Sequence, residues 1–528
     1  MDSGFEDPKF GVVKYSPNNF VALLQSTRVA DKTFIANKDH IDVITGYLHN
    51  IGAKMIVIEP DYIDHDYLQD YAEYFVKCFS SYKRRCIRLH FFGIYVEEDE
   101  FIQMLLGKDS TLTKAVQETY LGYMVVKPLP RTVIGKTCLK TYSEDSERFY
   151  PITRSYHANL YGLALIVKES LAFQEQDRSV SACATSALWS VLHGTGKLFQ
   201  HPILSPSEIT RLATKYSIRE ERTFPNHGLI PIEMARAIRE VGLEPEAVQV
   251  KDMYMLQSSA YAYLRAKIPF ILGVTIRHKD HQNDETIGGE HAVAVAGYHL
   301  GKDVKCQHGK DGIPLVASRI DKFYVHDDQY GPFVRMLING NTILHAKDKD
   351  SIVDPMEVLD TAWLEGKGVA IPKLLLIPLY NKIRIHYRTA YKEICILHKI
   401  ILTALKYYDG DIDLEWDIYL TTINQLKSEL SVLSKVNDKV RLEVLMGRMP
   451  RYIWRAKAII DGDTFLDIFI DATGISQGSL LINVLPYQHA AATYLLTCSN
   501  SIDKTEIKSS TILSVIEKLC EIGSAKDK

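Results

Sequence analysis

The sequence predicts an α+β protein built from several domains, and three observations carry that prediction. Its 528 residues are too many for one hydrophobic core; at about 150 residues per domain the expectation is roughly three units. Helical and extended hydrophobic patterns alternate through the first 150 residues and again around a sharply patterned central stretch. Beyond about residue 340 the patterns lengthen to helix size but still include strand-like runs. The expected divisions are 1–150, an N-terminal α/β or α+β domain, 151–340, a central domain, and 341–528, a mostly helical (helix-rich α+β) C-terminal domain.

The elements follow in order. Residues 41–48 read as a helix, 54–58 as a short buried strand, 64–79 as a tyrosine-rich helix, and 87–95 and 120–126 as strands. Gly135-Lys136-Thr137 resembles the end of a phosphate-binding loop. That motif needs a glycine five residues earlier so that backbone amides can wrap the phosphate, and Pro130 stands there without an amide hydrogen. Nucleotide binding is therefore not expected. In the last part, 390–407, 413–433, 438–446 and 512–522 carry helical patterns, with strands at 452–459 and 465–470. Neither flank offers a catalytic motif.

Composition narrows the class further. Apolar residues make up 46% and charged residues 24%, the ordinary globular range rather than that of a disordered chain. Sixty-two basic against 65 acidic residues leave a net charge of -3, without the basic excess of a nucleic-acid-binding chain, and no such partner is expected. The one dense basic run, Lys83, Arg84, Arg85 and Arg88, reads as a solvated face. The start of the chain lacks a signal-peptide pattern. The most apolar candidate for a membrane span, 479–498, contains Asn483, Pro486, Gln488 and His489 and does not read as a spanning helix. A soluble cytoplasmic protein is the expectation. The eight cysteines form no CxxC pair, so neither a zinc ribbon nor a dithiol redox site is signalled, and reduced thiols are expected. No motif calls for a cofactor or a resident metal.

Chemistry concentrates in the central stretch. Ala184, Ala187, Leu188, Val191 and Leu192 recur at the spacing of one apolar helix face. Ser179 or Ser181 offers a cap at the start, and Gly194 or Gly196 an end. Cys183 falls in the first turn, where free amides and the positive dipole end favour an anion, so a thiolate is stabilised there. Taken alone, such a cysteine reads as a small buried hydrophobe. A second signal is Gly288-Gly289-Glu290-His291-Ala292-Val293-Ala294-Val295-Ala296-Gly297-Tyr298, a loop and apolar strand with His291 at the strand's start. A third is the strand 322–326 ending in Asp327, Asp328 and a Gly331-Pro332 turn. An acid at a strand end can accept a hydrogen bond from an imidazole and fix its tautomer; it can equally cap the turn.

Together these residues resemble the papain-like cysteine peptidases. The order of Gln176, Cys183 at a helix start, His291 before an apolar strand and Asp327 after a strand is that of the superfamily. His291-Ala292-Val293 running on to Gly297-Tyr298 is similar to the histidine motif of papain relatives. Asp327 with Gly331 resembles the bacteriocin-leader-processing peptidases, as do the strand 267–274 and the segment of His227-Gly228, helix 232–241 and Gly242-Leu243. The resemblance covers roughly 180 residues. It implies a central papain-like fold with Cys183 as nucleophile, His291 as general base and acid, and Asp327 or Asp328 as the orienting acid. Gln176 and the Cys183 amide would serve the oxyanion. The acid stands 36 residues after His291, and a hairpin insertion over 300–319 would account for that length.

The expected function is thus hydrolysis of a peptide, isopeptide or other amide bond in a protein or peptide substrate. The flanking domains would serve recognition, regulation or an oligomeric partner. Two other readings compete. One is a catalytically degenerate scaffold that binds partners. The other is a metal-dependent hydrolase using His278, His281 and His291, with Asp280, Asp284 and Glu285 nearby, although two histidines three apart on a loop are not the helical His-Glu-x-x-His arrangement.

Overall fold

A computed structural model describes residues 9–142, 147–177, 179–216, 223–225, 228–279, 285–301, 305–309, 312–344, 347–348, 351–352, 356–362, 368–406, 408, 412–475 and 477–526. The protein is mixed α+β, 37% helix and 32% strand. It divides into two compact units. One comprises Met1–Gln249, Pro269–Tyr298 and Lys322–Pro378, and the other Val250–Ile268, His299–Asp321 and Leu379–Lys528.

The first unit begins with a five-stranded antiparallel sheet, in the order Gly11–Lys14, Met55–Tyr62, Cys86–Phe92, Tyr120–Val126 and Ile134–Leu139. Residues 135–137 lie on the last of these strands, so the Gly-Lys-Thr tripeptide forms no phosphate loop. The expected helix over 41–48 is Asp39–Asn50. That over 64–79 is shorter, His65–Glu73, because Tyr74 leaves helical dihedrals (φ -130, ψ -60) and only a 3-10 turn follows. The basic run divides as well. Lys83, Arg84 and Arg85 are exposed, but Arg88 is buried on the strand Cys86–Phe92. There its Nε donates to Glu59 Oε2 at 2.6 Å and its guanidinium lies over Tyr62 at 4.0 Å. The solvated-face reading therefore fails for Arg88, whose strand faces the interior.

The same unit carries a six-stranded antiparallel barrel. Phe270–Lys279, Glu285–Leu300, Ile320–Asp327, Gly331–Leu344, Met356–Thr361 and Gly368–Tyr380 pair in succession, and the last closes on the first. Closure removes the unpaired edges of an open sheet. The helix Cys183–Phe199 packs beside the barrel. It is buried on nearly every side rather than along one face, because Thr185, Ser186, Ser190 and His193 are enclosed with the apolar residues. Its glycines do not end it; the helix stops at Gln200, in the left-handed region at φ 59. Gly194 and Gly196 instead allow close approach. A Cβ on Gly194 would lie 2.8 Å from Pro269 Cγ, and one on Gly196 2.8 Å from Ile203 Cγ1.

The second unit is built on a four-stranded antiparallel meander, Leu414–Thr422, Tyr452–Ile460, Asp463–Asp471 and Leu481–Pro486, with helices Met253–Leu264, Tyr387–Leu405, Ile423–Ser431, Asp438–Met446, Ala490–Cys498 and Ser510–Lys526. Leu426, Leu430, Val444, Ile453, Phe469 and Leu485 form one core cluster. The C-terminal part is therefore α+β around a sheet, not mostly helical. The expected helix over 413–433 is a strand followed by a helix, with Thr422 as the cap between them: its Oγ1 accepts from Gln425 N at 3.3 Å. The expected hairpin over 300–319 is also absent among the described residues. That stretch is held by the meander instead, where Leu315 bridges Trp416 in parallel and Trp416 N donates to Pro314 O at 2.9 Å. Among the described residues, no helix is long and apolar enough to cross a membrane.

Candidate active site

Cys183 is the first residue of its helix. Ala182 is the N-cap and offers no side-chain cap, so the expected serine caps are not made. The turn before it is organised by Asp177 instead, whose Oδ1 accepts from the amides of Ser179 at 2.9 Å, Val180 at 2.7 Å and Ser181 at 3.0 Å. No N-cap side chain closes the helix start, and the Cys183 sulfur stands at the positive end of a four-turn dipole. The residue is partly exposed in a surround that is otherwise buried.

His291 lies on the barrel strand Glu285–Leu300, paired with Val274 of Phe270–Lys279. Asp327 ends the neighbouring strand Ile320–Asp327. The His291 Nε2 and Asp327 Oδ2 are 2.7 Å apart, with both side chains buried. The ring also shares a hydrogen bond with the Cys183 side chain. Because Asp327 holds Nε2, Nδ1 is the ring nitrogen left for the sulfur. Asp327 is fixed in turn, its Oδ1 accepting from Gln329 N at 2.8 Å. Burial works against protonation of the ring, but the Asp327 charge, the Asp327 and Cys183 hydrogen bonds and Asp328 outweigh it and raise His291 well above its ordinary value.

Asp328, the other candidate acid, does not take the imidazole hydrogen bond. Its carboxyl is buried, and neither oxygen has a hydrogen-bond partner on another residue among the described ones. Burial pushes it up to about 7, against the pull of His291 and with a further push from Asp327. Its carbonyl oxygen lies 3.0 Å from His40 Nε2. Gln176 is buried 7 positions before Cys183 and lines a cavity of about 1020 Å³ with Asp177, Ser179, Glu175, Asp328 and residues 31–40 and 129–132. His326, next to Asp327, is enclosed edge-on by Phe333 at 4.5 Å and Phe173 at 5.7 Å, and burial holds its ring down to about 3. It is a neutral packing residue.

Of the metal reading, the described histidines His278 and His291 stand apart. His278 is exposed and pairs with Thr286, four residues along the strand from Val274, about 13 Å at strand rise. His281, Asp280 and Asp284 fall outside the described residues, and the side chain of Glu285 does too; His227 likewise lies outside them. Three residues of this region had no signal in the sequence. Lys38 and Glu175 form a buried ion pair, and Glu175 Oε2 also accepts from Ile134 N at 3.2 Å. His40, 4% exposed, reaches the Asp328 backbone from the helix Asp39–Asn50, and burial lowers it below its ordinary value. No known protein family's sequence profile matches the chain, and no curated protein matches it.

Proposed function

We propose that the protein is a cysteine hydrolase of papain-like architecture that cleaves a peptide, isopeptide or other amide bond through an acyl-enzyme on Cys183. The observation that carries this reading is the relay in which one imidazole holds Asp327 on one side, at 2.7 Å, and the helix-start thiol of Cys183 on the other. A helix presenting its first-turn cysteine to a β-barrel that supplies histidine and acid from adjacent strands supports the papain-like resemblance.

The chemistry follows from the protonation states. His291, whose protonated form the Asp327 charge and the Asp327 and Cys183 hydrogen bonds favour against burial, stands beside a sulfur at the positive end of a helix. The mechanism we propose starts from the Cys183 thiolate paired with this ring. The thiolate attacks the carbonyl carbon, the C–S bond forms, and charge moves onto the carbonyl oxygen. The Cys183 amide and Gln176 are the donors available to receive it; losing one such donor typically costs ~3 kcal/mol of barrier. His291 passes its proton to the leaving nitrogen as the C–N bond breaks. The ring then takes a proton from water, whose oxygen attacks the thioester carbon and releases Cys183. Asp327 keeps the ring oriented and does not itself need to accept a proton. The cavity of about 1020 Å³ bordered by Gln176 and Asp328, whose lining does not include Cys183 or His291, would receive the substrate chain, and the lining residues between 31 and 40 would give the N-terminal part a recognition role.

Mass spectrometry of cells expressing wild type or Cys183→Ala tests this. New protein or peptide ends that depend on Cys183 are expected. Equal hydrolysis by the alanine variant would overturn the assignment to Cys183, and no new ends from either protein would leave the partner-binding scaffold in its place.

A further inference from the structure

The His291–Asp327 relay leaves one group unused. Asp328 places a fully enclosed carboxylate beside the pair, 4% exposed as a residue and without a hydrogen-bond partner on another residue among the described ones. An enclosed acid with no donor from another described residue is costly to keep. Its position supplies a reason. His291, Asp327 and Asp328 each offer a ligand atom, and those atoms all lie within 4.8 Å of one another.

We infer that these three side chains form a binding site for a divalent transition-metal ion of the zinc class, and that occupancy switches the Cys183 chemistry off. One imidazole nitrogen and two carboxylate oxygens suit a borderline ion such as Zn²⁺; a hard ion such as Mg²⁺ prefers an oxygen-only octahedron. Zinc–ligand distances of about 2.0–2.2 Å set tetrahedral donor atoms about 3.4 Å apart, so the His291–Asp327 pair, now at 2.7 Å, opens slightly to admit the ion while the Asp328 carboxylate lies within 4.8 Å of both. The cavity bordered by Asp328 gives a path from solvent, and a water from it would complete a four-coordinate shell. Asp328 supplies the second negative charge, so that two carboxylates balance the dication.

Inhibition follows from proton accounting. To bind the ion, His291 must release the proton on the ligating nitrogen to solvent. Held through Nε2, the ring keeps only its Nδ1 proton; giving that up would leave a metal-bound imidazolate, so it is a far weaker acid toward the leaving nitrogen than the imidazolium, and it is no longer the cation that pairs with the sulfur. The relay to Cys183 stops without oxidation or covalent change. The inhibitory half of the inference rests on the proposed hydrolase reading; the binding half does not.

The test therefore reads binding apart from activity. Zn²⁺ is titrated against a chromophoric chelator into intact Cys183→Ala protein and into the same protein carrying Asp328→Asn or His291→Gln, with a parallel Mg²⁺ titration. The remaining thiols are constant across the series, so differences report the proposed site. One Zn²⁺ per chain is expected to weaken at least about tenfold in each double variant, with no competition from Mg²⁺. Far-UV circular dichroism identifies a variant that has not folded, and the other then decides. Equal Zn²⁺ affinity throughout would overturn the site. In wild type, alkylation of Cys183 is expected to slow as Zn²⁺ fills the site and to recover with EDTA. Zn²⁺ binding with unchanged or faster Cys183 turnover would overturn the inhibitory role. A Zn²⁺ site in a protein whose Cys183 never reacts would instead sink the hydrolase reading and leave the metal site standing.

Discussion

At Asp328 a carboxyl is enclosed without a hydrogen-bond partner on another described residue, and burial raises it to about 7. The linkage has a definite sign. A carboxyl raised by folding contributes stability that is complete below its ordinary value near 4 and lost as pH rises through about 7. Asparagine carries no such ionisation. The melting temperature of Asp328→Asn relative to wild type is therefore expected to climb between pH 4 and pH 7 and to level off above; a difference flat across that window would contradict the burial account. At Asp327 the expectation is kinetic. Asp327→Asn cannot hold the imidazolium and is expected to slow turnover by on the order of 10²–10⁴-fold with little change in the melting curve. A variant within about twofold of wild type would show that the acid is dispensable.

The elements explain what the sequence could and could not disclose. Cys183, His291 and Asp327 were visible because each sits at a local landmark: a helix start, an apolar run after a double glycine, and a strand end before Gly331-Pro332; the double glycine is not a loop, however, since it lies with His291 inside the one strand Glu285–Leu300. The choice between Asp327 and Asp328 was not visible, because Asp328 follows directly on the strand end at Asp327, both carboxylates lie near the ring, and only the folded geometry decides which one takes its hydrogen bond. The stretch 413–433 misled for a related reason. Leu414, Trp416, Ile418 and Leu420 alternate as a strand, yet Tyr419 between them is buried too, and a strand enclosed on both faces reads like a buried helix. Gly194 and Gly196 looked like helix ends because a close approach by Pro269 or Ile203 leaves no mark in local sequence. Gly194→Ala is accordingly expected to destabilise the protein by about 1–3 kcal/mol through the clash with Pro269, although alanine is the better helix former. Denaturant unfolding measures it; a stabilised variant would show that Pro269 gives way freely.

At the scale of the whole molecule, the first 150 residues are woven into the unit that holds the site. Thr137 pairs with Phe173, Lys38 with Glu175, Tyr47 stacks on Phe333 at 6.0 Å, and His40 reaches the Asp328 carbonyl. Nothing in the local sequence marks these partners, since each pair is joined only by long-range packing. A fragment beginning at residue 151 would expose that interface and leave Glu175 buried without its cation. It is expected to be unfolded by circular dichroism and rapidly proteolysed, and a stably folded fragment would contradict the unit described here.

The central claim is that Cys183, alone among eight cysteines, is activated by His291. The most direct measurement treats wild type and His291→Ala at neutral pH with a limiting acyl-type electrophile and maps the adducts by mass spectrometry. The account predicts one rapid adduct, on Cys183, that is lost in the histidine variant while the slower background on the other thiols is unchanged. Labelling spread evenly over the cysteines, or a Cys183 adduct that forms as fast without His291, would contradict it.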